Sequence, residues 1–244
     1  MKVTVPPNTL SILRGITAAT VSMQLVKRGI RRCWIEGPRS IHPPDHAAGG
    51  RLVGPAFTLR FVPLREDLGT PESYAKAGSI RDAIEAMPAS SVAVIDACGA
   101  TRAAVLGDIL AARMQKRGVL GAVSDGPVRD LAAIRDLGFP VFCAGSAAPP
   151  SIAGLVFAGW QEPIGCGGVA VLPGDIMVGD EDGVVVLPQA LAEDVARDAV
   201  EQERFERFVQ LRIAQGVPVK GLYPPNDETR AAYEAWLEAG EPGT

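Results

Sequence analysis

The most regular apolar pattern in the chain lies between residues 91 and 144. Ser91–Ala97 (SVAVIDA) is a short, nearly continuous apolar run, as expected of a strand covered on both faces. Over Val105–Arg117 the apolar residues Ile109, Leu110 and Met114 return at helical spacing, and Gly118 ends the segment. Val119–Val123 predicts a second strand and Asp125-Gly126-Pro127 a turn. Leu131–Leu137 predicts a helix that Asp130 is placed to cap and Gly138 to stop. Pro140–Ala144 predicts a third strand. Strand and helix alternate, so an α/β fold with parallel strands is expected here.

The flanking segments read differently. Residues 1–9 predict a loose arm, with Thr9 capping a helix whose apolar positions run from Leu10 to Val26. Gly29 stops that helix, and Thr17 offers a restart within it. Residues 37–52, rich in Gly, Pro and His, predict an exposed loop. His42 and His46 stand four apart, but Pro43 and Pro44 between them forbid a shared helix face. A solvated loop is therefore preferred there to a metal pair. Leu52–Val62 predicts a strand, Pro63–Gly69 a polar break, and Tyr74–Ala86 a helix with Ile80 and Ile84 on one face. Cys98–Thr101 is the loop at a strand's carboxyl end, a favoured place for ligand groups.

After Pro149, Val169–Leu172, Ile176–Gly179 and Val184–Leu187 predict a β-meander packed against the α/β unit. The acidic turn Asp180-Glu181-Asp182-Gly183 lacks the length and terminal Glu of a calcium loop, so a hairpin turn is the better reading. A long charged helix is expected at about 190–214. Residues 217–244 read as an extension to a domain at 1–216, with a short helix near Ala231–Leu237.

Composition narrows the class. At 244 residues and 47% hydrophobic, the chain can bury an ample core, and with 5% aromatics that core must be aliphatic. The net charge is −4 and no basic block occurs, which argues against a nucleic-acid surface. Cys33, Cys98, Cys143 and Cys166 form no CxxC pair, so free thiols are expected rather than a zinc ribbon or a disulfide framework. The N-terminus carries no apolar signal core, and no run approaches the roughly 18 apolar residues of a membrane span. A cytoplasmic location and no membrane partner are the expectation.

Candidate chemistry concentrates in Gly107–Asp130, where twenty residues separate Asp108 from Arg129-Asp130. That is enough for one helix, a short loop and one strand, so the unit is expected to fold back and gather Asp108, Arg129 and Asp130 at one sheet edge. Arginine presents a planar fork that matches a carboxylate, and the adjacent aspartate suits a hard cation. The amides of Ile109 and Leu110, at a helix N-terminus, point toward an anion. Taken alone, these residues are better described as two helix caps and an ion pair. No nucleophile elbow, dinucleotide-binding glycine pattern or Schiff-base lysine pattern competes with them.

Three segments carry a resemblance: GPAFTLRF at 54–61, LGDILAARMQKRGVLGAVSDGPVRDLAAIRDLGFPVFCAG at 106–145, and PGDIMVGDEDGVVVLP at 173–188. Together they resemble the RraA-like family over about residues 10–215. That family holds class II 4-hydroxy-4-methyl-2-oxoglutarate / 4-carboxy-4-hydroxy-2-oxoadipate aldolases and regulators of ribonuclease E activity. Its aldolase branch is marked by Asp, twenty residues, then Arg-Asp, a spacing that Asp108, Arg129 and Asp130 meet.

The resemblance implies an α/β fold of the swivelling-domain type, with a β-rich core flanked by helices, assembled as a homotrimer or a homohexamer. It implies that Asp130 is the single direct protein ligand of Mg²⁺ or Mn²⁺, and that Asp108 orients water on the metal. Arg129 would hold the carboxylate or keto oxygen of a pyruvyl group. Gly107 and the amides of Ile109 and Leu110 would complete the substrate site. A glutamate from a neighbouring subunit's last helix would join it; Glu206 matches best and Glu203 is a near competitor. The implied reaction is pyruvate-releasing aldol cleavage of a 4-hydroxy-2-oxo di- or tricarboxylic acid, with oxaloacetate decarboxylation on the side. A non-catalytic regulator binding a ribonuclease, and a 2-keto acid dehydratase on the same metal platform, are the alternatives. Met23 departs from the family pattern, which often has Asp there, and the loop 37–50 and the tail 217–244 exceed the compact family length.

Overall fold

A computed structural model describes residues 5–42 and 51–243. The chain opens with two helices, α1 (Pro7–Gly15) and α2 (Ala18–Lys27). Thr17 is the restart foreseen: its hydroxyl accepts the Thr20 N–H at 3.1 Å and caps α2. Thr9 is not a cap, because α1 begins earlier, with Pro7 in the first turn, where a missing N–H is harmless. Two short strands follow, β1 (Trp34–Ile35) and β2 (Arg39–Ser40). The supposed loop at 37–52 is therefore partly structured. His42 is buried, with its Nε2 2.8 Å from the Phe139 carbonyl oxygen; His46 lies outside the described residues.

The long strand β3 (Leu52–Pro63) organises the sheet. It pairs in parallel with β4 (Val92–Asp96), which pairs in parallel with β5 (Gly121–Ser124), and that with β6 (Val141–Cys143). The helices α3 (Ile80–Ala86), α4 (Asp108–Lys116) and α5 (Leu131–Leu137) make the crossovers. They bury Ile84, Ala111, Met114 and Ile134 against one face of the sheet. The helix expected over Tyr74–Ala86 is broken. A single 3₁₀ turn covers Pro71–Ala75, and α3 starts only after Gly78, whose φ of +81° a side chain would oppose.

Two strands absent from the sequence reading follow, β7 (Leu155–Trp160) and β8 (Ile164–Cys166). Next come β9 (Val169–Val171), β10 (Ile176–Asp180) and β11 (Gly183–Leu187). They do not form a separate meander. β10 and β11 join the parallel strands through β3 in one nine-stranded sheet, while β8 and β9 form a hairpin that covers its inner face. The acidic turn is the two-residue hairpin expected, with Asp180 opposite Gly183. Asp180 accepts the N–H groups of Ala18 at 2.7 Å and Asp182 at 3.0 Å, so it serves the fold.

Helix α6 (Ala192–Ala214) packs with α1 and α2 on the β10–β11 side. The last helix is α7 (Asp227–Glu238), capped by Asn226 through the Thr229 N–H. It folds back on α6 through Phe205, Phe208, Tyr233 and Trp236. Among the described residues no single helix is long and apolar enough to cross a membrane.

Candidate functional site

The site depends on a detail that periodicity could not show. Val105 and Leu106 are not helical. The Val105 N–H donates to the Pro127 carbonyl at 3.0 Å, and the Arg129 N–H donates to that of Leu106 at 2.9 Å. This short parallel bridge pulls Pro127–Arg129 alongside Val105–Gly107. Helix α4 therefore starts at Asp108, three residues later than predicted, with Gly107 at its N-cap. Asp108 emerges next to Arg129 and Asp130, as the spacing implied.

Gly107 is the point of closest approach. A Cβ there would lie 2.8 Å from Asp130 Oδ2 and 3.2 Å from Arg129 Nε. Asp130 itself has φ 58° and ψ 37°, a left-handed conformation that is uncommon for a residue with a side chain. It stands at the N-cap of α5 but makes no side-chain cap bond, contrary to the capping role foreseen. Its carboxylate is left 41% exposed, accepting from Arg129 Nε at 3.2 Å. The left-handed backbone thus leaves the Asp130 carboxylate unused by the helix it precedes.

These groups line one cavity of about 290 Å³, with Asp108, Ile109, Leu110 and Ile80 around it. Ile109 does not belong to the core face its period suggested; it is 77% exposed. Its N–H donates to Asp108 Oδ1 at 2.8 Å. The substrate amide expected at Ile109 is thus already engaged by Asp108. Leu110 is a first-turn residue, whose N–H has no acceptor four residues back within the helix. Among the described residues no three His, Cys, Asp or Glu side chains converge as a metal cluster. A cation here would rest on Asp130 and otherwise on water, the habit of Mg²⁺.

Because a Cβ at Gly107 would press on Asp130 Oδ2, Gly107→Ala should displace the Asp130 carboxylate. Any turnover in this cavity should then lose about 10- to 100-fold in kcat/KM, since small misplacements cost that much, with the melting temperature changed by only a few degrees. Steady-state assays beside thermal melts check this; unchanged kinetics would show that the close approach is incidental.

Glu206 and Glu203 do not line this cavity. They lie on α6 in another groove, beside Thr17, Thr20, Arg207 and Gln210. Glu203 Oε1 accepts the Thr17 N–H at 3.0 Å, which ties it to the start of α2. Glu206 Oε1 accepts from Gln202 Nε2 at 2.9 Å and from the Tyr223 hydroxyl at 3.0 Å.

In the loop after β4 the amides of Ala97, Cys98 and Gly99 are engaged by carboxylates. Asp125 accepts N–H groups from Ala97 at 2.7 Å, Gly167 at 3.2 Å and Gly99 at 3.3 Å. Burial pushes its carboxyl pKa above the ordinary value. Asp96 accepts from Cys98 at 2.9 Å. The four cysteines are free, with Cys98 exposed and the others buried.

Comparison with known proteins now bears on this arrangement. A family model described as RraA-like, Aldolase/RraA, matches residues 18–186. The Legionella pneumophila protein DlpA is 33% identical over 86% of this chain, though the match spans only 32% of DlpA. A Halalkalibacterium halodurans protein, provisionally named a 4-hydroxy-4-methyl-2-oxoglutarate aldolase, is 34% identical over 68% of this chain and 74% of its own length. Among solved structures, Streptomyces coelicolor RraAS2, described as an unusual member of the RNase ES inhibitor RraA family, superposes with a TM-score of 0.76. That pair is 31% identical and covers 86% of this chain and 99% of RraAS2. The matched span contains the whole cavity beside Gly107, and the chain belongs to the RraA-like family.

Proposed function

We propose that this protein is a divalent-metal-dependent lyase that releases pyruvate from a 4-hydroxy-2-oxo acid with more than one carboxylate. The observation that carries the reading is the Asp130 carboxylate, held in a left-handed conformation beside Arg129 and not used as a cap. The provisional aldolase name of the Halalkalibacterium relative supports it.

The chemistry follows from the residues. The C4 hydroxyl loses its proton to water oriented by Asp108, and the C3–C4 bond breaks as the C4 carbonyl forms. The electron pair passes to C3 as the enolate of pyruvate, which is then protonated from solvent. Arg129 places a fixed positive charge where that enolate charge grows. The Leu110 amide and the start of α4 hold the pyruvyl carboxylate. Asp130 would hold Mg²⁺ or Mn²⁺, which would supply Lewis acidity toward a 2-keto acid. Oxaloacetate loses CO₂ to the same enolate, so decarboxylation belongs to the reading. Glu206 enters from a neighbouring copy in a trimer or hexamer, and residues 217–244 extend a domain at 1–216.

Purified protein with Mg²⁺ or Mn²⁺ should release pyruvate from 4-hydroxy-4-methyl-2-oxoglutarate in a lactate-dehydrogenase-coupled assay, and EDTA should stop it. Loss of water without pyruvate would favour a dehydratase. The RraAS2 likeness gives a second reading, a ribonuclease-binding regulator. Tight capture of a ribonuclease together with no lyase or decarboxylase activity would put that reading first.

A further inference from the structure

The cavity that holds Arg129 and Asp130 carries a second guanidinium. Arg81, near the start of α3, lines it together with Tyr74 and Ser151. Arg81 is exposed and enters none of the ion pairs formed among the described residues. The acids on its own helix are engaged elsewhere. Asp82 accepts the Gly78 N–H at 2.8 Å, and Glu85, one turn on, is taken by Arg113 at 2.7 Å and Arg117 at 3.1 Å. A helix pair at i,i+4 would ordinarily have formed between Arg81 and Glu85.

The guanidinium is nevertheless fixed in place. Its Nη1 donates to the Tyr74 carbonyl at 3.1 Å, and its central carbon lies 5.4 Å from the Tyr74 ring centroid. Tyr74 is pinned in turn, with its hydroxyl 2.9 Å from Oγ of the buried Ser151. Stacking and one backbone bond orient the fork while leaving other N–H groups for an anion. A pre-positioned arginine of this kind recognises a carboxylate through paired charge-assisted bonds.

We infer that Arg81 is a specificity-determining residue that anchors a second carboxylate of the substrate. The cavity then selects 2-keto acids with a carboxylate at each end. The pyruvyl end lies at Arg129 and Asp130 and the distal end at Arg81. This rests on the pyruvyl reading of the Arg129 end, but it can be tested apart from catalysis.

The test is calorimetric titration of full-length protein in Mg²⁺ with pyruvate, 2-oxoglutarate and 2-oxoadipate, for wild type, Arg81→Met and Arg81→Lys. Wild type should bind at least one of the two dicarboxylates about 10- to 100-fold more tightly than pyruvate, the worth of a hydrogen bond to a charged group. Arg81→Met should erase that preference while leaving pyruvate binding within twofold, and Arg81→Lys should keep part of it. In turnover, the loss should fall on KM for the dicarboxylic substrate rather than on kcat. If no pyruvate is released from any acid but the binding preference is present and falls in Arg81→Met, the lyase reading fails and the Arg81 assignment stands. If pyruvate is released and Arg81→Met keeps the preference, the assignment alone fails. Equal binding of all three ligands by wild type, or binding of none, also overturns it.

Discussion

Asp130→Ala should lower metal-dependent pyruvate release on the order of 10³-fold, the scale of removing the main electrostatic support of a developing enolate. The substitution should leave the fold intact. Asp130 does not cap α5, so no helix bond is lost, and its side chain is 41% exposed. Alanine in the left-handed region is somewhat more strained than aspartate, a penalty of about 1 kcal/mol. Asp130→Asn, which tolerates that conformation, separates strain from charge. If the carboxylate holds the cation, both variants lose activity and Mn²⁺ binding measured by electron paramagnetic resonance. Activity that survives both Asp130→Ala and EDTA would sink the lyase reading.

The same variant tests whether Glu206 acts across subunits. Glu206→Gln alone should also be impaired. If the glutamate comes from a neighbour, co-refolded mixtures of Asp130→Ala and Glu206→Gln chains should regain part of the activity, because some interfaces then carry both intact groups. Within one chain Glu206 lies in a different groove from Asp130 and is held by Gln202 and Tyr223. Glu203 is the weaker candidate, since its carboxylate is already engaged by the Thr17 amide.

The local signals in the sequence read well where one segment answers to itself. Leu131–Leu137 is a helix with the boundaries foreseen, because an apolar run ends at Gly138, whose φ of +67° closes it. The Asp108 to Arg129-Asp130 spacing also carried through, because a helix, a loop and a strand take up that length. The failures are long-range. Val105 and Leu106 look helical by composition, yet a parallel bridge to Pro127–Arg129 holds them extended. Ile109 fits the period and yet lines the cavity. β7 and β8 escaped notice because Gly159 and Gly165 interrupt their alternation. His42 is buried by a contact with a residue 97 positions away. Helix α7 starts at Asp227 rather than near Ala231, and the local signal for it was overlooked: Asn226 followed by Asp227 and Glu228 is an N-cap with an acidic first turn. Nothing local distinguishes Arg81 from any other helix-surface arginine, because its freedom from Glu85 is set by Arg113 and Arg117.

Asp125→Ala should cost roughly 3 kcal/mol of stability, the largest loss we expect from a single substitution outside the apolar core. Asp125 accepts N–H groups from Ala97, Gly99 and Gly167, and so ties the end of β4 to the turn between β8 and β9. Alanine leaves all three donors without this acceptor, that of Ala97 buried, that of Gly167 half-buried and that of Gly99 exposed. The effect also has a sign in pH. Burial raises the carboxyl pKa in the folded protein above its ordinary value, so the folded state binds this proton more tightly than the unfolded chain. The residue's contribution is then fully present below the ordinary aspartate pKa of about 4 and declines as pH rises through the raised folded value. Urea unfolding of wild type and Asp125→Ala at fixed protein concentration, repeated across that range, measures both effects. The gap between the two proteins should narrow as pH rises; a gap that widens would mean that the three amides outweigh burial and hold the carboxylate ionised.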